Sequence, residues 1–168
     1  MWLSSEELIW IFVPMVSAFI ISWLIGFERQ NIGKAAGISP HVLVCVASCA
    51  ISIMQHMLYD DALANGHAVD SQRIIAQVVT GIGFIGAGVI MKSSRTIKGL
   101  TTASTLWSCA ILGLILGYGE KYYLLGLILG SFLIGFMYIR DMFRHLNPFK
   151  PRDYQGDFHH DVENYDEH

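Results

Sequence analysis

Acidic residues are absent from two long stretches of this 168-residue chain, and this absence constrains the fold more than any other feature. None occurs between Glu28 and Asp60, and none occurs between Asp70 and Glu120. Only 15% of the chain is charged, against about 25% in a typical soluble domain. Long apolar stretches with so few charges are typical of segments that cross a lipid bilayer.

The apolar stretches predict an all-α fold, a polytopic bundle of about five transmembrane helices. We place these spans at residues 8–26, 40–59, 74–91, 101–117 and 122–139. Each approaches the length of about 20 residues that a helix needs to cross the hydrocarbon layer. A transmembrane domain is therefore predicted at residues 1–140, and the polar composition of residues 141–168 predicts a disordered cytoplasmic tail.

The distribution of Lys and Arg predicts how the spans are oriented. Nine of the eleven basic residues fall in the 27–41 loop, the 92–99 loop and the segment from Arg140 onward, which lie on one side because successive spans alternate in direction. Only Arg73 and Lys121 fall on the other side. Because cytoplasmic loops carry the excess of Lys and Arg, we expect the N-terminus outside and the C-terminus in the cytoplasm. So few and scattered basic residues do not predict a nucleic-acid surface.

Four glycines, Gly81, Gly83, Gly86 and Gly88, lie within the third predicted span. The run contains G-x-G-x-x-G, but a dinucleotide site also needs a preceding strand and an acid about 20 residues later, and the next acid is Glu120. Glycines in a membrane helix allow close packing against another helix, which is our first interpretation. A broken helix that lines an ion or substrate site is the alternative.

Polar side chains within or beside the spans are candidates for function. Glu28, Arg29 and Gln30 end the first span, and an acid at a membrane boundary is either part of an interfacial ion pair or functional. Since adjacent residues on a helix do not face each other, we expect Glu28 and Arg29 to have different partners. Arg73 and Gln77 share a helix face and are expected either to bind an anion or to hydrogen-bond another helix.

The fourth span begins with a cluster of hydroxyl side chains. Lys98 precedes Thr101, Thr102 and Thr105, and Trp107 follows as a candidate packing residue. These hydroxyls can bond the preceding helical turn, or they can line a polar cavity. A helix N-terminus with a lysine also favours anions, such as a phosphate or an anionic lipid headgroup.

The sequence contains few residues in patterns that would bind a metal ion or act in catalysis. His41, Cys45 and Cys49 recur at one-turn spacing, and the tail holds the His159-His160 pair, but neither set predicts a metal site strongly. We find no paired intramembrane acids and no nucleophile–base set, so we expect no enzyme activity, no metal and no cofactor.

Three blocks of sequence resemble the MgtC/SapB family of bacterial inner-membrane proteins. They are Gly26-Phe27-Glu28-Arg29-Gln30, residues 73–91 with the glycine run, and residues 99–107 with the threonines. The resemblance covers residues 8–140, in the family's order and at similar separations. Longer family members add a soluble C-terminal domain, whereas only residues 141–168 follow here, so the chain is expected to be the short, SapB-like form.

The resemblance implies a role linked to magnesium limitation and, in pathogens, to survival inside macrophages. The protein for which the family is named is regarded as an inhibitor of F-type ATP synthase and not as a magnesium transporter. We therefore expect a non-enzymatic regulator in the inner membrane that acts as a homo-oligomer or on another membrane protein such as ATP synthase. A small ion or solute transporter is the first alternative, and a lipid- or anion-binding membrane protein is the second.

Overall fold

The computed structural model describes residues 4–67, 70, 72–92 and 97–146, most of which lie in five α-helices. The helices are α1 (Ser5–Asn31), α2 (Ile38–Ala64), α3 (Arg73–Gly88), α4 (Leu100–Gly117) and α5 (Glu120–Leu146). Two short antiparallel strands, β1 (Met91–Lys92) and β2 (Ile97–Lys98), lie between α3 and α4, where the sequence predicted only a loop. The predicted all-α fold class is confirmed.

The five helices correspond in order to the five predicted spans. Four of them, α1, α2, α4 and α5, are long and apolar enough to cross a membrane. The remaining helix, α3, is also apolar but has only 16 residues, because the chain enters β1 shortly after Gly88. α3 is a continuous α-helix across all four glycines, so the broken-helix alternative is wrong. The orientation of the termini stays a prediction.

The first helix begins as its sequence predicts. The Ser4 hydroxyl accepts the Glu7 backbone N–H at 3.2 Å, and the Glu7 carboxylate accepts the Ser4 N–H at 2.7 Å. This reciprocal pair satisfies two backbone donors that the helix itself leaves unpaired. The start of α3 differs, since no side chain in the described part of the sequence caps it. The Asp70 carboxylate instead accepts the N–H of Gln72, the residue before α3, at 3.0 Å.

The core of the bundle lies where α2 and α4 meet at very short range. A Cβ atom on Gly113 would collide with the Cys45 carbonyl oxygen, and one on Gly117 would collide with the Cys49 carbonyl oxygen. Small side chains on α2 complete the contact, and the Ser52 hydroxyl donates to the Leu114 carbonyl at 2.7 Å. Glycines four residues apart let two membrane helices approach in this way, because only hydrogen atoms separate the backbones.

The first part of α5 packs on the same core. A Cβ on Gly126 would lie 2.6 Å from the Leu116 side chain, and one on Gly130 would lie 2.9 Å from Ile21. The Tyr123 hydroxyl is 2.6 Å from the Ser17 hydroxyl of α1. These contacts join α5 to α1 and α4.

The end of α5 forms a separate unit of the chain from Tyr138 onward. Within it, residues 141–146 are helical, although the sequence placed them at the start of a disordered tail. The Arg140 guanidinium donates to the Asp141 carboxylate at 3.5 Å. The rest of the predicted tail, residues 147–168, lies outside the described residues, as does its histidine pair.

We expect the Gly113→Ala substitution to destabilise the protein by about 1–3 kcal/mol, because the added methyl group forces α2 away from α4. Thermal unfolding in detergent micelles, followed by circular dichroism, measures the change. Gly135→Ala is the matched control, since a Cβ at that position of α5 meets no described atom within 4 Å. Equal melting temperatures for the two variants would contradict the importance of the α2–α4 contact.

Candidate functional site

One end of the bundle gathers most of the polar residues that the sequence singled out. We call it the polar end, and it comprises the C-terminus of α1 and the N-termini of α2 and α4. The end of α1 meets the start of α2 at Gly26, where a Cβ would lie 2.6 Å from the Ile38 Cα. The start of α2 meets the start of α4 through a hydrogen bond between His41 and Thr105. The connection between α1 and α2 therefore meets the start of α4, which lies much further along the chain.

A buried ion pair lies at the polar end. Arg29 is fully buried and Glu28 is 6% exposed. The guanidinium donates twice to the carboxylate, from Nε to Oε2 at 2.6 Å and from Nη2 to Oε1 at 2.9 Å. These adjacent residues therefore pair with each other, which the expectation of different partners did not foresee. The long arginine side chain folds back along the end of α1, so its planar head reaches the neighbouring carboxylate in the two-point geometry that this pair favours.

The third nitrogen of the same guanidinium, Nη1, is buried and has no hydrogen-bond partner among the described residues. A buried charged donor without a partner is costly, so Arg29 depends strongly on Glu28 for its stability there. Retaining such a group in the interior of a membrane protein usually marks a functional position.

His41 connects α2 to the hydroxyl cluster of α4. Its Nδ1 lies 2.7 Å from the Gly37 carbonyl oxygen and its Nε2 lies 3.0 Å from the Thr105 hydroxyl. Because a carbonyl oxygen only accepts, Nδ1 carries the proton, and a neutral ring then accepts at Nε2. The Thr105 hydroxyl is also 2.9 Å from the Thr102 carbonyl oxygen, and its single proton can be donated to only one of these two acceptors at a time. Sequence analysis considered His41 only as a metal ligand and missed this structural role.

The other candidates at the polar end are more peripheral. The Gln30 side-chain oxygen accepts the Ile38 N–H at a long 3.4 Å. Thr101 is exposed, whereas Thr102 is buried, and Lys98 is half-buried in β2 immediately before α4. The Ser104 hydroxyl donates to the Leu100 carbonyl at 3.0 Å. The local interpretation of the hydroxyl cluster is thus correct for Ser104 and Thr105.

The three buried cysteines do not form a metal site with His41. In the part of the chain that the structure describes, no group of three or more His, Cys, Asp or Glu side chains is placed to hold a metal ion. His41 instead uses both ring nitrogens in the hydrogen bonds above. The His41–Cys45–Cys49 alternative is therefore not supported.

A second candidate surface lies on α3. Five exposed residues recur at intervals of three or four positions and so share one helix face, which we call the outward stripe: Arg73, Gln77, Gly81, Phe84 and Gly88. Phe84 is 86% exposed, and a Cβ on Gly81 or Gly88 would meet no described atom within 4 Å. The expected hydrogen bond from Gln77 to another helix does not form among the described residues.

The remaining two glycines of α3 lie beside α4. A Cβ on Gly86 would lie 3.7 Å from the Ala103 Cβ, in ordinary contact, whereas Gly83 meets no described atom within 4 Å. Both border a shallow groove that the half-exposed Trp107 also lines. Of the four glycines, Gly86 is therefore the one that lies within contact distance of another described helix, and the packing role of the run stays a prediction.

An acidic cleft of about 780 Å³ opens at the end of the bundle opposite the polar end. Its carboxylates come from α1, α2 and α5: Glu6, Glu7, Asp60, Asp61 and Glu120. His56 is among the lining residues, with Nε2 3.7 Å from an Asp60 carboxylate oxygen. Such a concentration of negative charge attracts cations by long-range electrostatics.

We expect the Glu28→Gln substitution to lower the free energy of unfolding by about 3–5 kcal/mol, because it leaves the buried Arg29 cation without its carboxylate. The double variant Glu28→Gln/Arg29→Met should recover much of this loss. Thermal unfolding in micelles measures both effects. Glu120→Gln is the control, since it removes an exposed carboxylate. Wild-type stability of Glu28→Gln would contradict the dependence of Arg29 on Glu28.

Sequence comparison identifies known proteins that are similar to this chain. A protein of Escherichia coli (strain K12) named "Putative magnesium transporter YhiD" is 43% identical over 108 residues, which are 64% of this chain and 50% of the relative. "Protein MgtC" of Brucella abortus (strain 2308) is 37% identical over 105 residues, 62% of this chain and 41% of the relative. No solved structure matches.

The chain spans about half the length of the curated relatives that it matches. The sequence profile of the MgtC family, in contrast, matches residues 15–146, which include all of α2, α3 and α4. This range contains the polar end, the outward stripe and the α2–α4 contact, and it covers well over half of the chain. The protein is therefore a membrane protein that belongs to the MgtC family.

Proposed function

We propose that this protein is a non-enzymatic regulator of the bacterial inner membrane that acts by contact with other membrane proteins. The observation that carries the proposal is the outward stripe of α3. It combines an arginine, a glutamine, two glycines and a phenylalanine on a helix face that no other described helix covers. The family resemblance supports a regulatory role under magnesium limitation.

The composition of the stripe suits a protein neighbour better than lipid. Gln77 is exposed one turn after the start of an apolar helix, and lipid tails offer its amide no hydrogen-bond partner. A neighbouring helix supplies such a partner, and an interhelical hydrogen bond of this kind contributes about 0.6 kcal/mol on average. Gly81 and Gly88 leave room for a second backbone, while Phe84 provides a large apolar group to bury against it.

The neighbour is either a second copy of this chain or a different membrane protein. The resemblance favours F-type ATP synthase in the second case, since inhibition of that enzyme is the activity associated with the family's namesake. Regulation by contact needs no catalytic group, only a complementary surface such as the outward stripe.

We expect Gly81→Leu and Gly88→Leu to reduce association, because each fills the space that a neighbouring helix needs. The full chain, crosslinked in native membranes and in mild detergent, should lose its crosslinked species in both variants. Gly135→Leu is the matched control, since this glycine also has open space around its Cβ position but lies on α5. Crosslinking that persists in correctly inserted Gly81→Leu protein would overturn the role of the stripe.

A small cation transporter is the second candidate, and the acidic cleft favours it. Five carboxylates around one opening raise the local cation concentration, and the name of the E. coli relative points to magnesium. Purified protein in liposomes should then move Mg²⁺ down a gradient, and Asp60→Asn/Asp61→Asn should slow that flux. The absence of flux with Mg²⁺, Na⁺, K⁺ and H⁺ would remove this candidate and would leave the crosslinking test unaffected.

A further inference from the structure

The outward stripe of α3 points away from the rest of the bundle. Ile82 and Gly86 are the buried residues of α3, and a Cβ on Gly86 would lie 3.7 Å from the Ala103 Cβ of α4. Phe84 lies two positions from each of them, which is about half a turn around a helix with about 3.6 residues per turn. The stripe is therefore the face of α3 that a second molecule in the membrane can reach.

The last four residues of the stripe have the spacing of a seam between two helices. They are separated by four, three and four positions, as the a and d residues of a left-handed coiled coil are: Gln77, Gly81, Phe84 and Gly88. Glycine alternates with a larger side chain along this seam, so the Phe84 ring has a glycine one turn before it and another one turn after it. Such alternation allows two copies of the same face to interdigitate.

Membrane insertion restricts how two copies of this chain meet. Copies in one bilayer share one orientation, because the excess of Lys and Arg favours the same side for the same loops. When two copies associate about a two-fold axis along the membrane normal, their α3 helices run parallel and each stripe residue lies at the depth of its own counterpart. A second copy therefore fits the stripe only if every layer of the stripe is compatible with itself.

The two central layers meet this condition. The Gln77 amide both donates and accepts hydrogen bonds, so the two copies of this residue can bond each other across the axis. The two Phe84 rings lie at one depth and can pair as aromatic side chains do, while the glycines beside them let the backbones approach.

The charges at the start of α3 are also self-complementary. Arg73 has no ion-pair partner among the described residues, and Asp70 carries the opposite charge three positions before it. The Asp70 carboxylate accepts the Gln72 N–H at 3.0 Å, which uses one of about four sites that its lone pairs provide. Across a two-fold axis, each arginine can therefore pair with the carboxylate of the other copy.

We propose that the outward stripe is the contact of a parallel, two-fold symmetric homodimer of this chain. The inference rests on the proposed function, which assigns the stripe to a protein neighbour, and it names that neighbour. Gln77 sets the register, as a single polar residue does in a helix seam, because a shift by one turn would place its amide against apolar groups. The dimer buries Phe84, which at 86% is the most exposed of the described large apolar side chains.

Cysteine crosslinking of the full chain in native membranes tests the proposal. Gln77→Cys and Phe84→Cys lie at the axis, so mild oxidation should join each to its counterpart as a disulfide-linked dimer. Ile85→Cys, on the flank of the same helix, should give little dimer, because its Cα atoms are too far apart for a disulfide. Phe132→Cys, at a 70% exposed position of α5, is the control away from the stripe. Wild type, whose described cysteines are all buried, supplies the background.

Fluorescence energy transfer between labelled copies in liposomes tests the two polar layers. Gln77→Leu should weaken dimerisation about threefold, which corresponds to one interhelical hydrogen bond of about 0.6 kcal/mol. Arg73→Asp should also weaken dimerisation, because it brings four negative charges together at one end of the seam. The double variant Arg73→Asp/Asp70→Arg exchanges the two charges and should restore the wild-type dimer.

Three results would overturn the dimer. Equal crosslinking through Phe84→Cys and Ile85→Cys would show random collisions in the membrane. Wild-type dimerisation by correctly inserted Gln77→Leu and Arg73→Asp protein would place the contact elsewhere. A photocrosslinker at Phe84 that captures a different membrane protein, and never a second copy, would refute the dimer and leave the proposed function standing. Capture of no protein at all by that crosslinker would remove both.

Discussion

The close contact between α2 and α4 is the constraint on which the rest of the bundle depends. Lipid tails are as apolar as leucine, so burial alone gives two membrane helices little reason to associate. Gly113 and Gly117 instead bring α4 against the carbonyl groups of Cys45 and Cys49, where dispersion forces act over the shortest distances. Gly126 then places α5 against α4, Tyr123 joins α5 to α1, and Gly26 fixes where α1 meets the start of α2.

The same contact determines the geometry of the polar end. Because α2 and α4 are locked together, His41 lies within hydrogen-bond distance of Thr105. Arg29 and Glu28 are buried at the end of α1, where a low dielectric strengthens their attraction and makes their separation costly. The polar end is consequently held together by internal hydrogen bonds and an ion pair, whereas the residues of the outward stripe are exposed.

The number, order and approximate bounds of the helices followed from the sequence, because long apolar stretches have few alternatives to helix in a membrane. The contacts between the helices were harder to predict from the sequence. Gly81 to Gly88 attracted attention by their density, yet the closest contact uses Gly113 and Gly117, which belong to a Gly-Leu-Ile-Leu-Gly run. The same five residues recur at residues 126–130, where α5 packs, and this repeat was a signal that sequence analysis missed.

The site residues were predicted as a set but not in their pairing. Helix periodicity places neighbouring residues such as Glu28 and Arg29 on different faces. A long side chain at a helix end can nevertheless fold back to its neighbour, as Arg29 does. The hydrogen bond between His41 and Thr105 joins residues that are 64 positions apart in the chain, so only the three-dimensional packing reveals it. The open space around Gly81 and Gly88 likewise depends on which face α3 turns to α4, which composition does not specify.

The short length of α3 has a consequence for the membrane itself. Sixteen residues extend about 24 Å at about 1.5 Å per residue, against a hydrocarbon layer of about 30 Å. Such hydrophobic mismatch is relieved when the bilayer thins locally or when flanking polar residues are drawn toward it. The energy of that deformation depends on bilayer thickness and falls when a second protein covers the short helix. On the proposed function, lipid composition would therefore regulate how readily α3 associates with a neighbour, without any ligand binding to the protein.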